Sequence, residues 1–471
     1  MTQSKLNLGM KISNTLGLGW TRWSGGSVNR NILAAALMMG LLTFGVHLVA
    51  MAKELVVAAS FGTGDALDAF LIALVLPTFV INVIASPFQS ALIPTYIQVR
   101  EQEGLERAQA VLSNIMIYSM GVLLVITVLL GFLGSSLLPI LASGFNSEKI
   151  TLTRMIYYCL LPMIVIQGVV TIWSAVLNAG KRFFLVAISP AIVPLVVVIA
   201  LISMRSSWGI YSLAVGTVVG FIAQAGVIGI GLKKQELRIR HEFIRKNPHF
   251  NAMIKQYVLI MAGAFLMSST NLIDQGMAAM LRPGSVAILN YGSRLVNLGI
   301  GFVTASLGVA VFPYFSSQVA RKEWPDLLKT VHLYLRWIFI VMIPVSLLIV
   351  GFSEPIIRLI FERGAFSPED TRSVAQVQAL FGLQIPLHVG GILLVRVISS
   401  LQVNSILVWA SGFGLFVKII LNYFFVMWIG VAGIALSTSF MYLGTALFVY
   451  YFVRLFVNKF RERDVYLRGS T

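Results

Sequence analysis

Charged and polar side chains interrupt several long apolar stretches of this 471-residue chain. A charge kept inside a membrane span is costly, so each such residue is a candidate functional site. Cationic groups outnumber acidic ones among the candidates, which predicts a polar cavity suited to an anionic headgroup such as a pyrophosphate. The candidates for substrate binding are His47, Lys53, Asp68, Asn82, Asn290, Arg294 and Arg396.

Several of these residues also have a purely structural interpretation. His47 is equally consistent with a neutral, hydrogen-bonded core group, and Asp65 or Asp68 with a cap of the helix that follows, because Asp is favoured at helix N-caps. Lys53 and Glu54 are expected at the end of the first helix, near the outer interface. Asp274 and Lys418 lie deep in apolar stretches, where a mutual ion pair is the least expensive arrangement.

The elements that position these residues are membrane helices. The chain is 58% hydrophobic and only 11% charged, and a span needs about 20 apolar residues. This composition predicts an all-α polytopic membrane protein with about twelve spans and leaves no room for an ordinary soluble domain. The expected spans are 31–52, 66–95, 111–133, 155–178, 183–204, 210–232, 256–280, 285–312, 333–352, 373–398, 404–427 and 431–453.

The net charge of +17 indicates how the chain is oriented in the membrane rather than binding to nucleic acid. Most of the Lys and Arg residues fall in alternate connecting segments, and the positive-inside rule then places both termini in the cytoplasm. The basic stretch Lys233–Lys255 is interpreted either as an interfacial helix on anionic lipid or as a solvated loop. Anionic lipids are therefore expected partners at the basic cytoplasmic loops, and nucleic acids are not.

An internal repeat divides the chain into two halves. The segments around Pro94 and Pro313, around Phe145 and Phe366, and at 209–217 and 430–438 share an offset of about 220 residues. Six spans per half give both halves the same orientation, so they form a parallel repeat with the substrate expected between the lobes and transport by alternating access. The predicted boundaries are 1–30 cytoplasmic segment, 31–235 N-lobe, 236–255 basic cytoplasmic linker, 256–455 C-lobe and 456–471 basic cytoplasmic tail.

Motifs of soluble enzymes are absent from the sequence. The chain has no GxxxxGK[ST] phosphate loop and no HExxH pair, and its five histidines lack metal spacing. Its one cysteine, Cys159, cannot form a disulfide framework. Asp65 and Asp68 leave one enzyme alternative, a polyprenyl-dependent glycosyltransferase. The connecting segments expected on the outer side are short for that class, which favours a transporter that is not an enzyme.

The ordered motifs resemble the lipid II flippase family (MurJ/MviN) of the multidrug and oligosaccharidyl-lipid exporter superfamily. The resemblance rests on FGTGDALDAF at 61–70, LNAGKRF at 177–183, NLIDQ at 271–275, NYGSRLVNLGIGFVTASLGVAVFP at 290–313 and FERGAFS at 361–367. It implies a V-shaped fold of two lobes in the bacterial inner membrane. It also implies that the protein moves an undecaprenyl-pyrophosphate-linked saccharide from the inner to the outer leaflet, alongside enzymes of cell-envelope biosynthesis.

The resemblance assigns roles to matching positions. Lys53 falls where the family usually has a cavity arginine, Asp68 matches the family's aspartate before Ala-Phe, and Arg294 matches its arginine in the eighth helix. Some relatives are thought to bind sodium at positions that match Asp274, Lys418, Asn422 and Thr438. A lysine ammonium would compete with sodium for the same carboxylate, so the hypothesis is that Lys418 is a built-in cation. No resident cofactor or metal is expected, and coupling to Na⁺ or H⁺ stays open.

Departures from the family widen the choice of substrate. Family members commonly carry further arginines where this chain has His47, Ile81 and Asn82, and an acidic residue where it has Ser86. Fewer cavity arginines suggest a headgroup that differs from that of lipid II or is held less tightly. A lipid II-like precursor and another polyprenyl-linked oligosaccharide, such as an exopolysaccharide precursor, both stay open as substrates. A cation-coupled drug exporter of the wider superfamily is a further alternative.

Overall fold

The computed structural model describes residues 28–180, 182–233 and 248–469. Over those ranges the chain forms seventeen α-helices, one π-helical turn, one short 3-10 helix and no strand. In these ranges the helices build twelve spans that are long and apolar enough to cross a membrane. Each of them overlaps one of the spans expected from the sequence, so the prediction of an all-α protein with twelve spans is confirmed.

The N-lobe occupies residues 28–233 and contains the first six spans. Its helices are α1 (Val28–Phe61), α2 (Asp65–Val80), α3 (Ser86–Glu103), α4 (Leu105–Leu141), α5 (Ser147–Leu160), α6 (Pro162–Ala179), α7 (Phe183–Ile188), α8 (Ile192–Trp208) and α9 (Tyr211–Lys233). The second span is built from α2, the π-turn Ile81–Ala85 and the start of α3, and the fourth span from α5 and α6.

The C-lobe occupies residues 248–469 and contains the other six spans. Its helices are α10 (Pro248–Ala279), α11 (Ser285–Ala320), α12 (Trp324–Gly351), α13 (Ser353–Phe361), α14 (Pro368–Gly382), α15 (Ile385–Ser400), α16 (Ser405–Ile429) and α17 (Val431–Gly469). The tenth span of the chain is built from α14 and α15. Residues 234–247, which hold most of the basic linker, lie outside the described ranges, so the two interpretations of that linker stay predictions.

Equivalent local structures recur in the two lobes at the offset of the sequence repeat. Gly209 and Gly430 both end a helix with positive φ, at +50° and +62°. Asn146 and Ser367 are both N-caps whose side chains accept a backbone N–H three residues later. Because the same turn and the same cap stand 221 residues apart, each lobe folds by the same local rules.

Three helices extend beyond the limits expected from the sequence. The first helix ends at Phe61 rather than near Glu54, because residues 55–61 are apolar or small and Gly62 supplies the positive φ that ends the helix. Lys53 and Glu54 therefore lie inside the helix, and their predicted place at its end is wrong. Helix α10 begins at Pro248, within the range assigned to the linker, and α17 continues through the basic tail to Gly469.

The two lobes meet along several pairs of helices. Helix α1 contacts α11 and α13, α2 contacts α10 and α11, and the π-turn, α3 and α4 contact α10. Residues 62–64, 142–146, 280–284 and 362–367 connect helices at one end of the molecule, which is called the latch end below. The opposite end carries the connections at 104, 180–182, 321–323 and 401–404.

Candidate substrate cavity and lobe contacts

An ion-pair cluster joins the lobes inside the membrane-spanning region. One carboxylate oxygen of Glu54 on α1, Oε1, forms ion pairs with two cationic side chains. The Nζ atom of Lys53 lies 2.8 Å from it, and Nη2 of Arg294, on α11 of the other lobe, lies 3.0 Å away. The side chain of Glu54 is 11% exposed, whereas those of Lys53 and Arg294 are 24% and 42% exposed. The cations therefore border open space, and the carboxylate lies behind them.

The charges of this cluster suit an ionic contact between the lobes that an anionic substrate could displace. Two cations and one carboxylate leave a net charge of +1, and the side chain of Arg294 is 42% exposed. An exposed guanidinium can bind a phosphate oxygen, often in a bidentate manner. An anionic headgroup that reached Arg294 would compete with Glu54 and so act directly on a contact between the lobes.

The other predicted binding residues lie at different depths. His47 and Asn82 are exposed, on α1 and on the π-turn. Asn290 donates through Nδ2 to Oε1 of Gln275 and to the carbonyl of Val286, both at 2.9 Å, so its amide donors serve contacts within the C-lobe. Arg396 is half-buried on α15, and its Nε has no hydrogen-bond partner among the described residues.

Asp68 holds the lobes together at the latch end. Its carboxylate accepts the backbone N–H groups of Gly284 at 2.7 Å and Ala287 at 2.8 Å, both from the start of α11 in the other lobe. Within the N-lobe, Nζ of Lys149 donates to the same carboxylate at 2.9 Å and also pairs with Asp65. Asp68 is only 1% exposed, so in this conformation a substrate cannot reach it.

The capping interpretation of the two aspartates is therefore corrected. The N-cap of α2 is Gly64, and Asp65 and Asp68 lie in the first turn of that helix. Asp68 instead caps the N-terminus of α11, where unpaired N–H groups and the helix dipole favour a negative charge. The sequence indicated the right chemistry but the wrong helix, because the capped helix belongs to the other lobe.

Backbone atoms of the two lobes also come into direct contact at the latch end. Ala365 donates its N–H to the carbonyl of Ala59 at 2.9 Å. Gly364 and Gly284 have positive φ, and a Cβ at either position would lie 2.3 Å from a carbonyl oxygen of the N-lobe, that of Ala59 or Thr63. Such an approach is open only to glycine. The hydroxyl of Thr63 completes the contact with a hydrogen bond to Asp370.

A second ionic cluster lies inside the C-lobe and confirms the predicted pair of Asp274 and Lys418. The ammonium of Lys418 on α16 lies 3.1 Å from Oδ1 of Asp274 on α10. The same oxygen accepts the amide of Asn422 at 2.8 Å. Lys418 also donates to two oxygen atoms of α17, the carbonyl oxygen of Ile434 at 3.0 Å and the hydroxyl oxygen of Thr438. Lys418 is 1% exposed, so a complete set of oxygen partners offsets its burial.

This cluster does not fit a sodium ion. The ammonium of Lys418 already contacts the carboxylate, the carbonyl and the hydroxyl oxygens that would ligate a cation between α10, α16 and α17. A sodium ion there would face a like charge at contact distance. Over the described residues, no group of three or more His, Cys, Asp and Glu side chains could hold a metal ion.

Glu54 is the functional residue that sequence reasoning missed. It was grouped with Lys53 at a helix end, although a carboxylate within an apolar span is by itself a sign of function. Its partner Arg294 is 240 positions away in the other lobe, so spacing alone could not reveal the pair. Ser437, which donates to the amide oxygen of Asn422 in the C-lobe cluster, was also missed, although it lies only 15 positions from Asn422.

Comparison with protein families gives one consistent match. The family model described as "Lipid II flippase MurJ" matches residues 57–466. Among curated relatives, a "Probable lipid II flippase MurJ" of Synechocystis sp. is 26% identical over 88% of this chain and 80% of the relative. Another of that description, from Thermotoga maritima, is 27% identical over 88% of this chain and 84% of the relative.

Solved structures share the fold. "Lipid II flippase MurJ, inward closed conformation" superposes with a TM-score of 0.76 at 22% identity and covers 89% of this chain and 87% of that one. An inward-facing multidrug resistance MATE family transporter of the MOP superfamily also reaches a TM-score of 0.76, at 12% identity, with 90% and 95% coverage. At these identities the matches carry the fold alone.

Proposed function

We propose, from the premise that this chain belongs to the lipid II flippase MurJ family, that it carries its lipid-linked substrate between the two lobes and binds the pyrophosphate at Arg294 and Lys53. The family makes the chain a flippase, which is a transporter and not an enzyme, and its twelve spans make it a multi-pass protein of the inner membrane. Lipid II is the substrate that the family implies.

The observation that carries the binding proposal is the cluster around Glu54. It is an ionic contact between the lobes within the membrane-spanning region, and its two cations border open space. A pyrophosphate brings more negative charge than one carboxylate, so it competes for Arg294 and Lys53. Binding then weakens the hold of α1 on α11, which couples occupancy of the cavity to relative movement of the lobes.

The direction of transport follows from the proposed topology. With the basic segments in the cytoplasm, the latch end faces the outside and is closed by Asp68 and the glycine contacts. The substrate enters from the cytoplasmic side while its lipid tail stays in the bilayer. Opening of the latch and closure of the opposite end then expose the headgroup to the outside.

A reconstituted translocation assay tests the binding residues. We expect Arg294→Ala and Lys53→Ala each to slow translocation of a lipid-linked pyrophosphate saccharide by about tenfold or more, because a hydrogen bond to a charged group contributes about 1.5–3 kcal/mol. Arg358→Ala is the matched control, since Arg358 is exposed and pairs with Glu354 on its own helix. Unchanged rates in both cavity variants would remove the assigned roles.

We further propose that transport is independent of sodium, with Lys418 as the built-in cation. The contacts of its ammonium with Asp274, Ile434 and Thr438 support this assignment. Transport in vesicles should respond equally to sodium and potassium gradients, and Lys418→Met should impair it. Sodium-dependent transport that Lys418→Met leaves unaffected would contradict the proposal. The energy then comes from the membrane potential, from protons or from consumption of the product.

A related glycan lipid is the second candidate substrate. Exposed His47, Asn82 and Ser86 stand where the resemblance leads one to expect charged side chains, so the cavity has fewer cations for a highly anionic headgroup. Complementation of a strain that lacks its lipid II flippase distinguishes the two substrates, because a carrier of another polyprenyl-linked saccharide would not restore growth. Anionic lipids at the basic loops and biosynthetic enzymes are the proposed partners.

A further inference from the structure

A groove opens in the N-lobe between two of its helices, α4 and α9. Helices α4 and α9 both pack on α6 but have no more than a marginal contact with each other; α4 also contacts α10 of the C-lobe, whereas α9 has at most a marginal contact with any C-lobe helix. The space between them has a volume of about 470 Å³. Its walls include Leu112 and Met116 of α4, Trp173 of α6, and Gly226, Gly229 and Lys233 of α9.

The glycines of α9 give the groove its depth. A Cβ at Gly229 would lie 3.0 Å from the ring of Trp173, so this glycine lets the indole lie against the helix. A Cβ at Gly226 would meet nothing within 4 Å, so it would project into the empty groove. Gly226 lies seven residues before Lys233, which places it about 10 Å along the helix axis at 1.5 Å per residue.

The position and lining of the groove favour a hydrocarbon chain as its occupant. Its walls belong to three spans that are long and apolar enough to cross a membrane, and among the described residues of these walls Lys233 is the one that is charged. Water is a poor filler, because a buried water needs two to four polar partners. An unfilled groove would also lose the dispersion contacts of its walls. A lipid chain restores those contacts without removing any polar group from water.

Lys233 selects the headgroup. It ends α9 at the end of the molecule opposite the latch, and another lysine follows it in the sequence. A lysine at the end of a span extends its ammonium to the headgroup level, where it attracts anionic lipids. Among the described residues of its walls, none is acidic and could offset this charge. We propose that the groove binds one anionic phospholipid, with an acyl chain against Trp173 and the phosphate at Lys233.

Quenching of Trp173 fluorescence by phospholipids with brominated acyl chains tests this site in the reconstituted full chain. The signal is the difference between the protein and its Trp173→Phe variant, which removes the contribution of the other seven tryptophans. We expect brominated phosphatidylglycerol to quench this signal at about fivefold lower mole fraction than brominated phosphatidylcholine, since one lysine near the surface contributes about 1 kcal/mol. Lys233→Gln should remove that preference.

A pair of glycine variants separates the groove from the general lipid boundary. Gly226→Leu should fill the groove and abolish quenching, whereas Gly121→Leu, which also meets open space but lies on α4 outside the groove, should leave it unchanged. Quenching that persists in Gly226→Leu, or that is equal for both headgroups in the unmodified protein, would overturn the proposal. Displacement of the brominated lipid by an unbrominated polyprenyl phosphate would assign the groove to the substrate tail and overturn it as well.

Discussion

Replacing Asp68 by alanine should open the latch end. The carboxylate accepts two N–H groups from the other lobe, at 2.7 and 2.8 Å. Hydrogen bonds to a charged group contribute about 1.5–3 kcal/mol each, so their loss removes about 3–6 kcal/mol from the closed latch. The ratio of open to closed latch should then rise by about 10²- to 10⁴-fold. Lys149 keeps Asp65 as a partner, so the N-lobe should still fold.

Spin-label distances across the latch measure this effect. Glu148 and Glu369 are exposed, follow the N-caps of α5 and α14, and lie in different lobes. Cysteines at both positions, in a Cys159→Ser background, can each carry a label. In the unmodified protein we expect one short distance population, and in Asp68→Ala a dominant longer one.

A matched variant separates the latch from the local ion pair. Asp65→Ala also takes a carboxylate from Lys149, but Asp65 makes no contact with α11 among the hydrogen bonds found in the described residues. It should therefore leave the distance distribution unchanged. If Asp68→Ala kept the short distance, or if Asp65→Ala lengthened it equally, the carboxylate cap would not be what closes this end.

Three other predictions follow from the same contacts. Glu54→Gln should lower the Kd for a soluble pyrophosphate headgroup analogue by about two- to fivefold, because it removes a competing ion pair worth up to about 1 kcal/mol. An unchanged Kd in titration calorimetry would contradict this. Gly364→Val should lengthen the spin-label distance, because its Cβ would collide with a backbone carbonyl, whereas Gly351→Val meets open space and should not. Lys418→Met should destabilise the protein by about 3–5 kcal/mol, because it leaves the largely buried carboxylate of Asp274 without its cation. Thermal unfolding should show recovery in Lys418→Met with Asp274→Asn, and no recovery would refute the pairing argument.

The composition and the repeat were sufficient to predict the architecture. Apolar stretches of span length fix twelve helices because the bilayer core accepts only backbone that is hydrogen-bonded within itself. The offset of about 220 residues identified the two lobes, and the turns at Gly209 and Gly430 confirm it. The pair of Asp274 and Lys418 could also be predicted, because an isolated charge so deep in a span is too costly to persist.

The partners across the lobe contact depended on tertiary structure. Asp68 was predicted either as a cap of its own helix or as a binding residue, and it caps α11 some 216 positions away. Glu54 gained its role only when α1 was found to continue to Phe61 and to place its carboxylate beside Arg294.

The sequence by itself determined which residues must cross the membrane and which of them are too polar to face lipid, because burial energy depends on residue type and on the length of each apolar run. It could not determine which polar groups meet. Those pairings depend on how two separately folded bundles are placed against each other, and that placement is set by glycine backbone contacts such as those of Gly284 and Gly364. Such contacts leave no periodic pattern along the chain.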